Sequence, residues 1–301
     1  MTTSTSSLHG TNHTPKHSHR NAILLMILAP ALWSIAGVFT RHLDAARSFE
    51  ITFWRSFFAA IFVAAYLLWQ GNLSTSLRKS GRWGWFSGVL WSVMFSAFMV
   101  AMSMTTVANT LVVLSIGPLL TALLAFFILK QTIAPRTWAA IFLAMVGIVI
   151  MFANGMNHSN QMWGMLIALC VPIAGSINLI ALKKAGAQVD LIPALLIGGL
   201  LSCAATLPFS LPMQASLHDI LILAMLGVFQ LGVPCILMLK ASRHLSAPEL
   251  SLLALLEVLL GPLWAWLGAG EVPHSATLYG GALVLVALVG NEMLAMRKPT
   301  T

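Results

Sequence analysis

Residues 248–273, PELSLLALLEVLLGPLWAWLGAGEVP, decide how the chain is read. From Leu250 to Leu267 the segment is apolar apart from small positions and one acid, Glu257. A run of about 18 apolar residues crosses a hydrocarbon core of roughly 30 Å as a helix. Glu257 stands near its middle. An ionisable group at that depth costs about 3 kcal/mol or more unless it is paired or faces water. The segment reads as a membrane helix, and another part of the chain or a ligand must answer Glu257.

The composition agrees. Of 301 residues, 58% are hydrophobic and 8% charged, with a mean hydropathy of +0.89; soluble domains carry about 25% charged residues. The net charge of +8 lies in short loops and not on a soluble face. It therefore speaks for membrane orientation, and no nucleic-acid partner is expected. Cys170, Cys203 and Cys235 fall inside apolar runs, without disulfide or metal spacing. Residues 1–20, with His9, His13, His17 and His19, read as a disordered cytoplasmic tail. The first apolar run lacks an Ala-x-Ala cleavage site and reads as a retained helix.

Ten apolar runs follow one another: Asn21–Thr40, Ile51–Trp69, Trp83–Met104, Val107–Leu129, Pro135–Ala153, Met162–Leu182, Leu191–Leu211, Ile220–Leu239, Ala247–Leu267 and Ala276–Met296. With a cytoplasmic N-terminus, thirteen of the sixteen Lys and Arg fall inside. Arg41 and Arg47 fall outside, and Arg55 lies within the second run. That bias predicts an even helix count and two cytoplasmic termini. Pro30 with Ser34 recurs as Pro172 with Ser176, and Pro118–Gln131 matches Val258–Glu271 at an offset of 140 residues. The expected fold is an all-α membrane protein of ten transmembrane helices in two repeats, residues 21–153 and 162–296. Five helices per repeat is odd, so the second repeat runs inverted, as in secondary transporters with a midplane site.

The polar residues within the runs are the candidate binding groups. Glu257 could bind a substrate amine or carry a proton; otherwise it is a structural glutamate bonded to a neighbouring helix. Arg55 offers a planar fork to a carboxylate; otherwise it snorkels outward or pairs with Glu50. Gln230, Ser34, Ser176, Asn178 and Asn109 are ligand contacts or helix–helix glue. Trp33, Trp54, Trp91 and Trp264 are candidate cavity walls. Glu292, near a helix end with Arg297 and Lys298, reads as structural. Pro30, Pro172 and Pro234 lie within runs and can kink them. Gly198, Gly199, Gly280 and Gly281 suit close helix packing. There is no phosphate loop, no nucleophile with a base and no zinc pattern. No cofactor and no metal are expected.

The segments ITFWRSFFAA (51–60), VANTLVVLSIGPLLTALLAFFILKQ (107–131), LGVFQLGVPCILMLKASRHLSAPELSLLALLEVLLGPLWAWLGAGE (226–271) and GGALVLVALVGNE (280–292) resemble the EamA family of the drug/metabolite transporter superfamily. The resemblance implies ten helices, cytoplasmic termini, a central cavity and efflux or exchange of small metabolites, often amino acids. The chain departs from the family pattern with Gln131 in place of Glu, which leaves Glu271 without a first-half counterpart. It departs again with Glu257-Val258 in place of Glu-Pro.

The expected function is a secondary transporter of the inner membrane. It would export or exchange amino acids or related small metabolites by alternating access, with protons or a counter-substrate as partners. The alternative is an integral-membrane enzyme acting on a lipid-linked substrate. Such an enzyme would group acids or histidines at one face, whereas Asp44, Glu50, His158, Asp219 and His274 sit on separate loops.

Overall fold

The computed structural model describes residues 15–296 apart from 72, 131, 156–158, 186–191, 243 and 246. Every regular element among them is helical. Ten stretches of helix match the ten apolar runs; three are broken within the run, and the third is kinked ahead of its run, at Gly81. The first stretch is α1 (Pro15–Trp33) followed by α2 (Ala36–Thr40). Then come α3 (Ser48–Trp69) and α4 (Leu73–Met104). The fourth stretch divides into α5 (Val107–Leu114) and α6 (Gly117–Leu129). Single helices follow: α7 (Pro135–Gly155), α8 (Ser159–Ala185) and α9 (Ile192–Ser210). The eighth stretch is α10 (Leu217–Met225), a π-helical segment Leu226–Gly232, and α11 (Val233–Ala241). The chain ends in α12 (Ala247–Ala269) and α13 (Ser275–Met296).

Seven of these stretches are long and apolar enough to cross a membrane, and Pro135–Met151, Leu253–Ala269 and Ser275–Asn291 are shorter apolar helices. Those three belong to α7, α12 and α13, which run for 21, 23 and 22 residues.

The breaks have local causes. Pro118 has no N–H for the carbonyl of Leu114, and the chain turns at Ser115 and Ile116. The Ser115 hydroxyl caps the carbonyl of Val112 at 2.7 Å. In α1 the Ser34 hydroxyl donates to Ala31 O at 2.7 Å, just before the turn at Ser34–Ile35. Such back-bonding bends helices. Pro234 likewise deprives the carbonyl of Gln230, and the ladder widens to π spacing over residues 226–232. Pro172, by contrast, sits inside an unbroken α8.

Two expectations need correction. Helix α1 begins at Pro15, so residues 15–20 are helical and not part of a disordered tail; proline suits a first helical position because its missing N–H is unneeded there. The basic stretch 78–82 is not a loop. It lies within the span of α4, where only Gly81 is non-helical (φ 50°, ψ −152°). Ser76 and Ser80 are buried there while Arg78 and Lys79 are exposed, an amphipathic lead-in to the apolar span. Residues 1–14, Gln131 and residues 156–158, His158 among them, lie outside the described residues.

Helix α9 wedges between α3 and α4. The Gly198–Gly199 pair permits this approach: a Cβ on Gly198 would stand 2.6 Å from the Cβ of Trp91 and 3.1 Å from the carbonyl of Gly88. The same contact is tied by hydroxyls, Ser202 bonding Ser56 at 3.0 Å and Ser96 at 2.9 Å. On the other side, α1 packs against α11 and α12, and α5 against α8 and α12. Helices α7 and α13 pack chiefly on each other, the backbones of Gly147 and Gly280 meeting.

Gly198→Ala should destabilise the purified protein by about 1–3 kcal/mol, because the opposing Trp91 Cβ and Gly88 backbone cannot yield. A Cβ on Gly290 would meet nothing within 4 Å; Gly290→Ala should leave the protein as stable or slightly more so. Melting temperatures in detergent compare the two variants.

Candidate functional site

The three broken stretches meet at one cavity of about 190 Å³. Trp33, the last residue of α1, lines it; so do Leu114, the last residue of α5, and Gln230 of the π-helical segment. Irregular backbone at membrane depth is tolerated where it is buried in protein or lines a cavity. Helix α4 supplies an aromatic wall, Trp91, Phe95 and Phe98, spaced i, i+4, i+7 on one helical face. The remaining surface is largely apolar. Arg55 from α3 and Glu257 from α12 are the charged residues lining it.

Arg55 is 2% exposed. Its Nε donates to Gln230 Oε1 at 2.9 Å, its guanidinium carbon lies 5.4 Å from the centre of the Phe98 ring, and its Nη1 has no hydrogen-bond partner among the described residues. Gln230 Nε2 in turn donates to the carbonyl of Trp33 at 3.2 Å. A buried guanidinium with an unused donor is costly. An anion entering the cavity would meet the Arg55 guanidinium, which lines it. Arg55 neither snorkels to the helix end nor pairs with Glu50. The Glu50 carboxylate accepts instead from the backbone N–H groups of Gln214 and Ala215 at 2.8–3.0 Å.

Five of the sequence-selected residues therefore converge on the cavity: Glu257, Arg55, Gln230, Trp33 and Trp91. The others are placed elsewhere. Ser34 accepts from Trp264 Nε1 at 3.1 Å, which joins the α1–α2 break to α12. Asn109 accepts from Thr277 at 2.6 Å, joining α5 to α13. Ser176 donates to the carbonyl of Gly117 at 3.1 Å and accepts from Thr121 at 3.0 Å, holding α8 to α6. Trp54 stacks on Phe58 with ring centres 5.9 Å apart, and its indole N–H is buried without a partner among the described residues. Asn178 is buried, with its side-chain oxygen also unpartnered there. Sequence reasoning missed Phe95 and Phe98. Their spacing from Trp91 was the available signal, but in an apolar run every face of the helix looks alike.

One end of the bundle is fastened by acids. Glu271 bonds Arg41 Nε at 2.8 Å and the backbone N–H of Val107 at 2.6 Å. Arg41 also donates to the carbonyls of Met102 and Thr105, both at 2.9 Å. Asp219, fully buried, accepts from the backbone N–H groups of Asp44, Ala45, Ala46 and Ser216. Asp44, His218 and Asp219 bring ligand atoms within 4.8 Å of one another, so two of the five residues expected on separate loops, Asp44 and Asp219, lie together. The chain folds its loops back onto one helix start, a proximity that sequence separation hides. Both oxygens of Asp219 are committed to backbone donors.

Similarity to known proteins agrees with this architecture. The chain is 23% identical over 279 residues to the S-adenosylmethionine uptake transporter of Rickettsia prowazekii (strain Madrid E), covering 90% of this chain and 92% of that protein. It is 24% identical over 259 residues to the protein of the same name from Rickettsia bellii (strain RML369-C), covering 83% and 87%. A solved structure described as "Crystal structure of protein" superposes with a TM-score of 0.67 at 19% identity, covering 93% of this chain and all of that one; at that identity the likeness concerns the fold alone. The model of the EamA-like transporter family matches residues 20–153 and again 162–292. Built as a multi-pass helical bundle around a central cavity, the chain belongs to the EamA-like transporter family.

Proposed function

We propose that the protein exchanges a small zwitterionic metabolite, an amino acid or a related compound, across the inner membrane by alternating access. The observation that carries this reading is the cavity itself: Arg55 and Glu257 line one apolar space where three broken helices meet. The substrate carboxylate would take the Arg55 fork, and its amine would take Glu257. The aromatic wall would hold the apolar body. A volume of about 190 Å³ falls below the roughly 300–1,000 Å³ usual for drug-sized ligands, which favours an amino-acid-sized solute.

The relatives' names add a specific compound. S-adenosylmethionine carries the same zwitterionic end, with a sulfonium cation that Glu257 would attract and an adenine ring suited to Trp91, Phe95 or Trp33. Seating it requires the cavity to widen. Those relatives are named for uptake, and exchange serves either direction.

We assign the transport cycle to two inverted five-helix halves. The packing supports this reading. Numbering the ten helical stretches in chain order, the first packs on the eighth and ninth, while the sixth packs on the third and fourth. The third packs on the seventh, and the eighth on the second. The seventh and second pack together, as do the fifth and tenth. Exchanging each stretch with the one five places away maps these contacts onto themselves. With cytoplasmic termini, Lys79 lies inside and the α12–α13 loop outside. An impermeant maleimide should label His274→Cys on whole cells and Lys79→Cys only after permeabilisation. The reverse pattern would overturn the orientation.

Two transport measurements test the chemistry. In proteoliposomes, Arg55→Ala should weaken recognition of the acid about tenfold or more relative to its amide, the loss of one charge-assisted bidentate contact. Arg55→Lys should rescue poorly, since the fork is gone. Equal wild-type transport of acid and amide by Arg55→Ala would sink the zwitterion reading. If Glu257 also carries the coupling proton, Glu257→Gln should still exchange substrate, with weaker affinity for the amine, yet ignore an imposed pH gradient. A Gln variant still driven by that gradient would exclude the proton role.

A further inference from the structure

The bond between Gln230 and Arg55 says more than that a buried arginine has a partner. Gln230 is 1% exposed and reaches the cavity from the π-helical segment. Its amide is used at both ends: Oε1 accepts from Arg55 Nε at 2.9 Å, and Nε2 donates to the Trp33 carbonyl at 3.2 Å. It thus ties the arginine to two of the three points where the helices are broken. The backbones are fixed to each other as well, since a Cβ on Gly227 would lie 2.6 Å from the carbonyl oxygen of Arg55. The chain comes this close because residue 227 has no side chain.

The amide is a neutral acceptor. Occupying Nε turns the outer edge of the guanidinium, with its unpartnered Nη1, away from Gln230. The charge of Arg55 stays uncompensated by this neighbour. A carboxylate at the same place would accept the same bond and cancel the charge, and the fork would have no reason to recruit an anion. An apolar side chain would leave the charge but release the fork from its orientation.

We propose that Gln230 is a positioning residue that sets the specificity of the Arg55 subsite for substrates carrying one carboxylate. It holds the guanidinium in place without neutralising it. This rests on the proposed function, in which Arg55 takes the substrate carboxylate.

Two isosteric variants test it on the full-length protein. L-methionine, L-leucine, L-phenylalanine and S-adenosylmethionine are each compared with their carboxamides, by thermal shift in detergent and by half-saturation in proteoliposome counterflow. Wild type should prefer the acids. Gln230→Glu should reduce the acid-over-amide ratio by about tenfold or more, with amide binding kept or improved. Gln230→Met should weaken acid binding several-fold more than amide binding, because the fork is loosened but still charged. A purely structural glutamine would weaken acid and amide alike in both variants, and that result overturns the proposal. So does a wild-type ratio in Gln230→Glu. If Gln230→Glu fails to elute as a single species, Gln230→Met decides, and wild-type half-saturation for the acid overturns the proposal. Absence of acid preference in the wild type overturns the carboxylate reading of Arg55 itself. Acid preference in the wild type with an unmoved ratio in both variants overturns only the role of Gln230.

Discussion

A guanidinium buried at the centre of an apolar bundle is the constraint around which this molecule is arranged. Arg55 is almost wholly buried, and an isolated charge in low dielectric is expensive unless the structure answers it. The answer is partial: one donor goes to Gln230, the Phe98 ring lies nearby, and Nη1 is left without a partner among the described residues. Partial satisfaction of a buried charge is what a binding site for an opposite charge needs. Full satisfaction would stabilise the resting protein and remove the attraction for a ligand.

The broken helices follow from the same need of polar groups for partners. Backbone amides inside a membrane must be satisfied, so interruptions are confined to places lined by protein or by a cavity. Here the interruptions before Ile35, at Ser115–Ile116 and at Leu226–Gly232 all border one space. Hydroxyls of Ser34 and Ser115 absorb carbonyls freed near two of these turns. The breaks border the cavity without placing further charged side chains in it.

The acids outside the cavity have a different part. Glu50 and Asp219 commit their oxygens to loop N–H groups, and Glu271 divides its own between Arg41 and the start of α5. These bonds fasten helix ends at one face of the bundle. Glu257 is set apart from them by its depth and its place on the cavity.

The positions of the helical stretches were legible in the sequence, because hydrophobicity over about 20 residues is a local property. So were the exceptional residues: Arg55, Glu257 and Gln230 interrupt apolar runs and must be explained wherever the chain folds. Pro234 marked a break, whereas Pro118 was absorbed into a continuous run and Pro172 stands in an intact helix. The local rule identifies a missing N–H; neighbouring helices decide whether the chain bends there. Only the tertiary structure distinguished Trp91, which lines the cavity, from Trp54, which stacks in an aromatic cluster, and from Trp264, which bonds Ser34. All three are tryptophans in apolar runs. Which face of a membrane helix meets lipid, a neighbour or a cavity depends on packing between segments far apart in sequence, since hydropathy scores all three surroundings alike.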